Sequence, residues 1–222
     1  MIGIIVAMQK ELDLLLQIVD GCQKANVGGF EFYSGRVGDE DVVAMTCGIG
    51  KVNAALGTSA MIYNFHPRAV VNSGVAGGTG ADAGILDVVL ASEVAYHDVW
   101  CGPGTEWGEA AGCPARFACP GDADRIASAL GVKCGLVASG DIFVSRKEDL
   151  DKILSVCPQA IAVDMESGAI AQTCYLSGVP MYCLRVVSDT PGASDNISQY
   201  ENFWTDAPRH TFTAVRRLVE IL

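Results

Sequence analysis

The chain has 222 residues, half of them apolar, and carries 15 Lys and Arg against 26 Asp and Glu, a formal net charge of −11. That apolar content fills one large core, and an acidic excess with no basic cluster argues against nucleic acid as a partner. The N-terminal run Met1 to Met8 meets Lys10-Glu11 too soon for a signal peptide or a membrane span, so a cytoplasmic protein without a membrane partner is expected. Nine cysteines, an odd number in a chain of this length, read as reduced thiols, several of them in apolar segments. No Cys-x-x-Cys occurs and His66, His97 and His210 have no ligand spacing, so neither a metal nor another cofactor is expected; Gly-x-Ser-x-Gly is also absent.

Ile2 to Ala7 reads as a buried strand and Gln9 to Val19 as the helix after it. Leu12, Leu14, Leu15, Leu16, Ile18 and Val19 form one apolar arc at 100° per residue, and Glu11 falls inside that arc. A carboxylate facing a core needs a partner or a task; a Glu favoured at a helix start that bends back to solvent ranks somewhat ahead on this pattern alone.

Phe30 to Val37 and Asp41 to Cys47 predict a hairpin across Gly38-Asp39. Gly48-Ile49-Gly50-Lys51 then opens a helix over Val52 to Tyr63; its glycines suit either an anion cradle or tight strand-to-helix packing. Ala69 to Asn72 is a further strand, ending in Ser73-Gly74-Val75-Ala76-Gly77-Gly78, a side-chain-poor stretch that lets a ligand approach the backbone. After a strand over Leu86 to Ala95, residues 98–121 form a long irregular loop with two tryptophans, read as a substrate lid or a subunit interface.

Asp122 to Leu130 predicts a helix and Lys133 to Ala138 a strand ending at Ser139-Gly140-Asp141-Ile142-Phe143-Val144, where Phe143 is either a crevice ring or, more commonly, a core aromatic. A helix over Lys147 to Val156 leads to Ala160-Ile161-Ala162-Val163, a strand buried on both faces that runs into Asp164-Met165-Glu166. An open α/β sheet binds ligands beyond the carboxyl ends of its strands, which puts both acids where chemistry would sit; helix capping explains them equally well. After a helix over Ser167 to Leu176, the strand Pro180 to Val187 carries Arg185, which needs an anionic partner such as Asp164, Glu166 or Glu11, and ends at Ser188-Asp189. Asp195 to Asp206 reads as a polar, mobile segment, and Pro208 to Leu222 as a closing amphipathic helix.

The alternation predicts a single α/β domain over 1–222 with a mixed central β-sheet flanked by helices. Strands deliver Glu11, Glu166 and Asp189 toward one side, and carboxylates without metal or nucleophile suit glycosidic hydrolysis through an oxocarbenium-like transition state. The residues alone reach a metal-free α/β enzyme with acid–base carboxylates, not a purine.

Five segments in register, Gly3 to Met8 with Glu11, Gly48 to Ala55, Ser139 to Phe143, Val163 to Glu166, and Arg185 to Asp189, resemble the 5′-methylthioadenosine/S-adenosylhomocysteine nucleosidases of the purine nucleoside phosphorylase superfamily. The resemblance implies a phosphorylase/hydrolase-like fold, a homodimer, no cofactor, and an adenine nucleoside substrate. It implies that Glu11 directs the attacking water, that Asp189, oriented by Ser188, protonates the purine N7, and that Glu166 holds the ribose hydroxyls. It further implies that Met165 packs on the sugar, Met8 on the thioether side and Phe143 on adenine, whose edge the Val144 backbone reads. Val75, Ala76 and Gly77 would line the pocket, and Arg185 would tie the acidic cluster together. Asp164 stands where many members carry Glu, and Val75 where some carry Ser. Rival readings are a phosphate-dependent nucleoside phosphorylase, a futalosine-type nucleoside hydrolase and a non-catalytic adenine-nucleoside binder.

Overall fold

In a computed structural model of the chain, residues 1–206 and 208–222 are described, with side chains described outside 205–211, so the His210 side chain lies outside the described set. The first half runs β1 (Ile2–Val6), α1 (Gln9–Leu15), β2 (Asp20–Val27), β3 (Phe30–Val37), β4 (Glu40–Thr46), α2 (Lys51–Phe65), β5 (Val70–Gly78) and β6 (Val88–Tyr96). The second half runs β7 (Phe117–Ala118), α3 (Ala123–Leu130), β8 (Lys133–Ser139), α4 (Lys147–Val156), β9 (Ala160–Asp164), α5 (Ser167–Ser177), β10 (Met181–Asp189), α6 (Asn196–Asp206) and α7 (Pro208–Ile221).

The sheet is mixed, as expected. β1 lies parallel to both β4 and β5, while β2, β3 and β4 form an antiparallel meander at one edge. At the other end β5, β10, β6, β8 and β9 pair in turn and close on themselves, because β5 is parallel to β10 on one side and antiparallel to β9 on the other. Gly77 is the joint of that ring, in register with both Asp189 and Val163. A Cβ there would stand 2.7 Å from Pro191 Cγ and 3.1 Å from Val163 Cγ2, so only glycine fits.

Leu12 and Leu15 of α1, Ile126 and Leu130 of α3, and Val215, Leu218 and Val219 of α7 pack on one face of the sheet. Ala54, Met61 and Ile62 of α2 with Ala169, Ile170 and Cys174 of α5 cover another. Helices on both faces explain why β1, β9 up to Val163 and β10 on either side of Arg185 are apolar and largely buried. All nine cysteines are unpaired, and burial pushes the Cys47, Cys174 and Cys183 thiols up to about 12, which keeps them protonated and inert.

Several segments differ from expectation: β5 runs on through Ser73–Gly78 rather than ending at Asn72, and α1 stops at Leu15 rather than Val19. The stretch 20–27 is a strand that sequence periodicity did not reveal; its residues are exposed up to Asn26 and it pairs only with β3 at the sheet edge. The segment 195–206, expected to be polar and mobile, is the helix α6. Tyr200, Phe203 and Trp204 share one face of it, and Phe203 packs on Val186 of β10 and is only 7% exposed. That aromatic face supplies the tertiary stabilisation a polar helix lacks on its own.

Candidate active site

The ends of β1, β5, β9 and β10 open into one crevice of about 680 Å³, its mouth included. All the residues singled out for substrate or catalysis line it: Met8, Glu11, Val75, Ala76, Gly77, Phe143, Val144, Met165, Glu166, Arg185, Ser188 and Asp189. None of residues 98–121 lines it. Trp107 donates its ring N–H to the His97 carbonyl at 2.9 Å and stacks on Trp100, leaving both indoles about half exposed on the outer surface.

Glu11 turns inward rather than back to solvent. It is 4% exposed, and its Oε2 accepts the Ala7 and Met8 backbone N–H groups at 2.9 Å each, while Oε1 accepts the Val75 N–H at 3.2 Å. The close approach needs Gly74, where a Cβ would stand 3.0 Å from Oε1. Burial raises the pKa of Glu11 above its ordinary value; the backbone donors and the Arg185 charge oppose this without cancelling it. A carboxylate so placed is a better base near neutral pH than an exposed one.

Glu166 begins α5 and reaches across to the start of α2, where Oε1 accepts the Gly50 N–H at 2.8 Å. The next amide, Lys51 N–H, binds Asp141 Oδ1 at 2.8 Å. The glycine-rich turn is thus an anion cradle whose anions are the chain's own carboxylates, held at a helix N-terminus. Gly50 adopts φ 92°, a conformation that strains any other residue. Burial, with the Asp164 charge adding to it, pushes Glu166 up to about 7.

Arg185 is fully buried. It pairs with Asp164 at 2.6 Å, donates to the Asn72 carbonyl at 3.2 Å and hydrogen-bonds the Asn72 side-chain oxygen. Asp164 therefore serves as counter-ion and also as cap, accepting the Ser167 hydroxyl at 2.8 Å. Asp189 is 3% exposed; Ser188 donates to its Oδ1 at 2.6 Å, and the Asn196 side-chain amide donates to its Oδ2. Burial raises its pKa, and those two donors work the other way.

Phe143 is a crevice ring rather than a core aromatic: it is 47% exposed and meets Tyr200 edge-on at 5.4 Å. Tyr200, Asn72 and Asn196 were not found by sequence reasoning. Asn72 and Asn196 bind partners at sequence separations of 113 and 7 through a fold no local pattern encodes. Tyr200 could have been found from the spacing of Asn196, Tyr200 and Phe203, which puts all three on one helical face. Among the described residues, no group of three His, Cys, Asp and Glu side chains is arranged to hold a metal ion, and no helix is long and apolar enough to cross a membrane.

A profile of the phosphorylase superfamily matches residues 1–220. A 5′-methylthioadenosine/S-adenosylhomocysteine nucleosidase of Chromohalobacter salexigens is 37% identical over 229 residues, covering 100% of this chain and 97% of that one. The nucleosidase of the same description from Neisseria meningitidis, solved in complex with methylthio-immucillin-A, superposes with a TM-score of 0.93 at 34% identity, covering 100% and 99% of the two chains. Futalosine hydrolase of Helicobacter pylori superposes with a TM-score of 0.89 at 28% identity over 100% and 97%. The chain belongs to the 5′-methylthioadenosine/S-adenosylhomocysteine nucleosidase family of the phosphorylase superfamily.

Proposed function

We propose that the chain hydrolyses the N-glycosidic bond of 5′-methylthioadenosine and S-adenosylhomocysteine, releasing adenine and the thioribose product. The observation that carries this is one constellation: a buried base, Glu11, and a buried acid, Asp189, lining a crevice with an exposed ring, Phe143. Adenine stacks on Phe143, its edge is read by the Val144 backbone, and the ribose hydroxyls bind Glu166 with Met165 against the sugar. Met8 and Tyr200 border the 5′ substituent, and the Val75-Ala76-Gly77 backbone lets the nucleoside lie close to β5.

Asp189 gives its proton to N7 as the bond from C1′ to N9 breaks, so its electron pair leaves on a neutral adenine. Water adds to the oxocarbenium-like C1′ and its proton passes to Glu11. Transfer of that proton through solvent back to Asp189 restores the starting state. Ser188 orients the acid, and Arg185 neutralises the acidic cluster without touching the reacting atoms.

A phosphorylase needs a cation free to meet a phosphate dianion. Among the described residues lining the crevice, Arg185 is the sole cation and is committed to Asp164 and Asn72. Lys51 is paired with Asp98 at 2.9 Å. The futalosine-type reading draws support from the Helicobacter pylori likeness, because the base and ribose groups would be shared.

We further propose a homodimer. Val52, Leu56 and Tyr63 form an exposed apolar stripe on α2, at 71%, 57% and 71%, beside the exposed Leu176 of α5. Ile49, which lines the crevice, is half exposed at the same helix's start, so a second copy seated there would border the crevice.

The test is adenine release from methylthioadenosine in phosphate-free buffer, repeated with phosphate, with the sugar identified. Adenine with free methylthioribose in both buffers supports the hydrolase. A sugar 1-phosphate formed only with phosphate overturns it in favour of the phosphorylase, and release from futalosine alone assigns the sister activity.

A further inference from the structure

We propose that Asn196, the first residue of α6, is a positioning residue for Asp189: its side-chain amide fixes the acid's carboxyl and sets its strength as a proton donor. This rests on the role assigned to Asp189 above.

The geometry carries the argument. Asn196 is 2% exposed, and its Nδ2 donates to Asp189 Oδ2 while the Ser188 hydroxyl covers Oδ1 at 2.6 Å. Each carboxyl oxygen therefore has one fixed donor, which locks the plane of the group and leaves the remaining lone pairs to face the crevice. α6 also grips the strand end one residue later, where the Thr190 N–H binds Gln199 Oε1 at 2.8 Å. The helix is anchored in turn by Phe203 on Val186 and by the Lys10 ammonium 3.6 Å from the Trp204 ring centroid. Asn196 thus stands on a braced element, as a group that must hold another to within a fraction of an ångström should.

The chemistry of the amide suits an acid that cycles. Nδ2 stabilises the charged carboxylate left after proton transfer. Asn196 Oδ1 is buried with no hydrogen-bond partner. A half turn about the last side-chain torsion would exchange Nδ2 for Oδ1 and let the amide accept from the protonated carboxyl, but the donor contact is the one the geometry shows, so the charged state is the better held of the two. Serine cannot hold that state alone, because its hydroxyl reaches only Oδ1.

The titratable and charged groups sharing the crevice with Asp189 are Arg185 on its own strand, Glu11 of α1, Asp164 and Glu166 at the end of β9, and Tyr200 of α6. β5, paired to the strand end through Gly77, brings no titratable side chain, and Glu93 of β6 is turned to Arg116. Among the described residues, Asn196 is the one outside the strand whose side chain hydrogen-bonds the acid's carboxyl.

The experiment titrates the Asp189 carboxyl by 13C NMR in the full-length chain without substrate, with the signal assigned by its loss in Asp189→Asn. Asn196→Ala and the isosteric Asn196→Asp are compared with the parent, and kcat and KM are measured against pH. Losing the donor in Asn196→Ala should raise the Asp189 midpoint by about one pH unit. Asn196→Asp should raise it further, as two carboxyls sharing one site titrate in separate steps. The alkaline limb of kcat should move up with the midpoint, and kcat at neutral pH should fall about tenfold with KM within about twofold in Asn196→Ala. Identical midpoints and limbs in folded variants overturn the inference even where adenine is released. A chain that releases no adenine but shows both midpoint shifts loses the proposed reaction and keeps the control of Asp189 by Asn196.

Discussion

Arg185 of β10 and Asp164 of β9 form a fully buried ion pair, with Nη2 2.6 Å and Nε 2.8 Å from the same Oδ2. Such a pair stabilises little compared with a well-packed apolar pair, but breaking one side leaves an uncompensated charge in the core. Asp164→Ala strands the guanidinium and removes the cap on Ser167, so we expect a loss of about 3–5 kcal/mol in unfolding free energy. Urea denaturation followed by circular dichroism measures it, and a loss under about 1 kcal/mol would show that Asn72 and the backbone carbonyls alone satisfy Arg185.

Asp189→Asn separates binding from chemistry. The amide keeps the shape and can still pair with Ser188, but it carries no proton to give N7. Turnover should fall by about 10²–10⁴-fold while a nucleoside analogue binds nearly as tightly as to the parent. Single-turnover kinetics and calorimetric titration report the two quantities, and near-normal turnover would remove Asp189 from the acid role.

How far the chain could be read in advance follows from where each signal is stored. The alternation of apolar runs and amphipathic arcs is local, so β1, α1, β9 and β10 were legible to within a residue or two, apart from the end of α1. The carboxylates at strand ends were legible because charge after a buried strand is unusual chemistry. β2 was not, since an exposed edge strand needs no apolar face and exists through its pairing with β3. α6 was missed because Asp195, Asn196, Ser198 and Gln199 suggested a solvated loop, whereas Phe203 against Val186 decides the matter in three dimensions. The direction of Glu11 hung on Gly74, a residue 63 positions away whose missing Cβ makes room for it.

Glu166 predicts a pH dependence of stability. Its folded-state value of about 7 lies above the ordinary 4.5, so the folded chain holds this proton where the unfolded chain has lost it. The contribution is full below about pH 4.5 and is lost as pH rises through 7; a shift of this size corresponds to about 3 kcal/mol. Glu166→Gln has no such proton, so the stability difference between it and the parent should change across this window and level off above it. Denaturant titrations at pH 4.5, 6 and 8 test this, and parallel curves at every pH would show that Glu166 titrates at its ordinary value when folded.

Gly77→Ala tests whether the ring joint sets the acid's position. Gly77 is in register with Asp189 on one side and Val163 on the other, so a displacement there reaches both the proposed acid and the strand that carries Asp164. The added methyl would meet Pro191 Cγ at 2.7 Å; the pyrrolidine ring cannot rotate out of the way, so the 189–191 backbone must move. Overpacking of this kind costs about 1–3 kcal/mol of stability. The larger effect should fall on kcat, because an acid displaced by less than an ångström loses much of its proton-transfer geometry; about a 10²-fold drop is expected. If kcat instead stays within twofold while stability falls, the strain has been absorbed on the Val163 side. The position of Asp189 would then depend on its side-chain donors and on α6, not on the β5–β10 register.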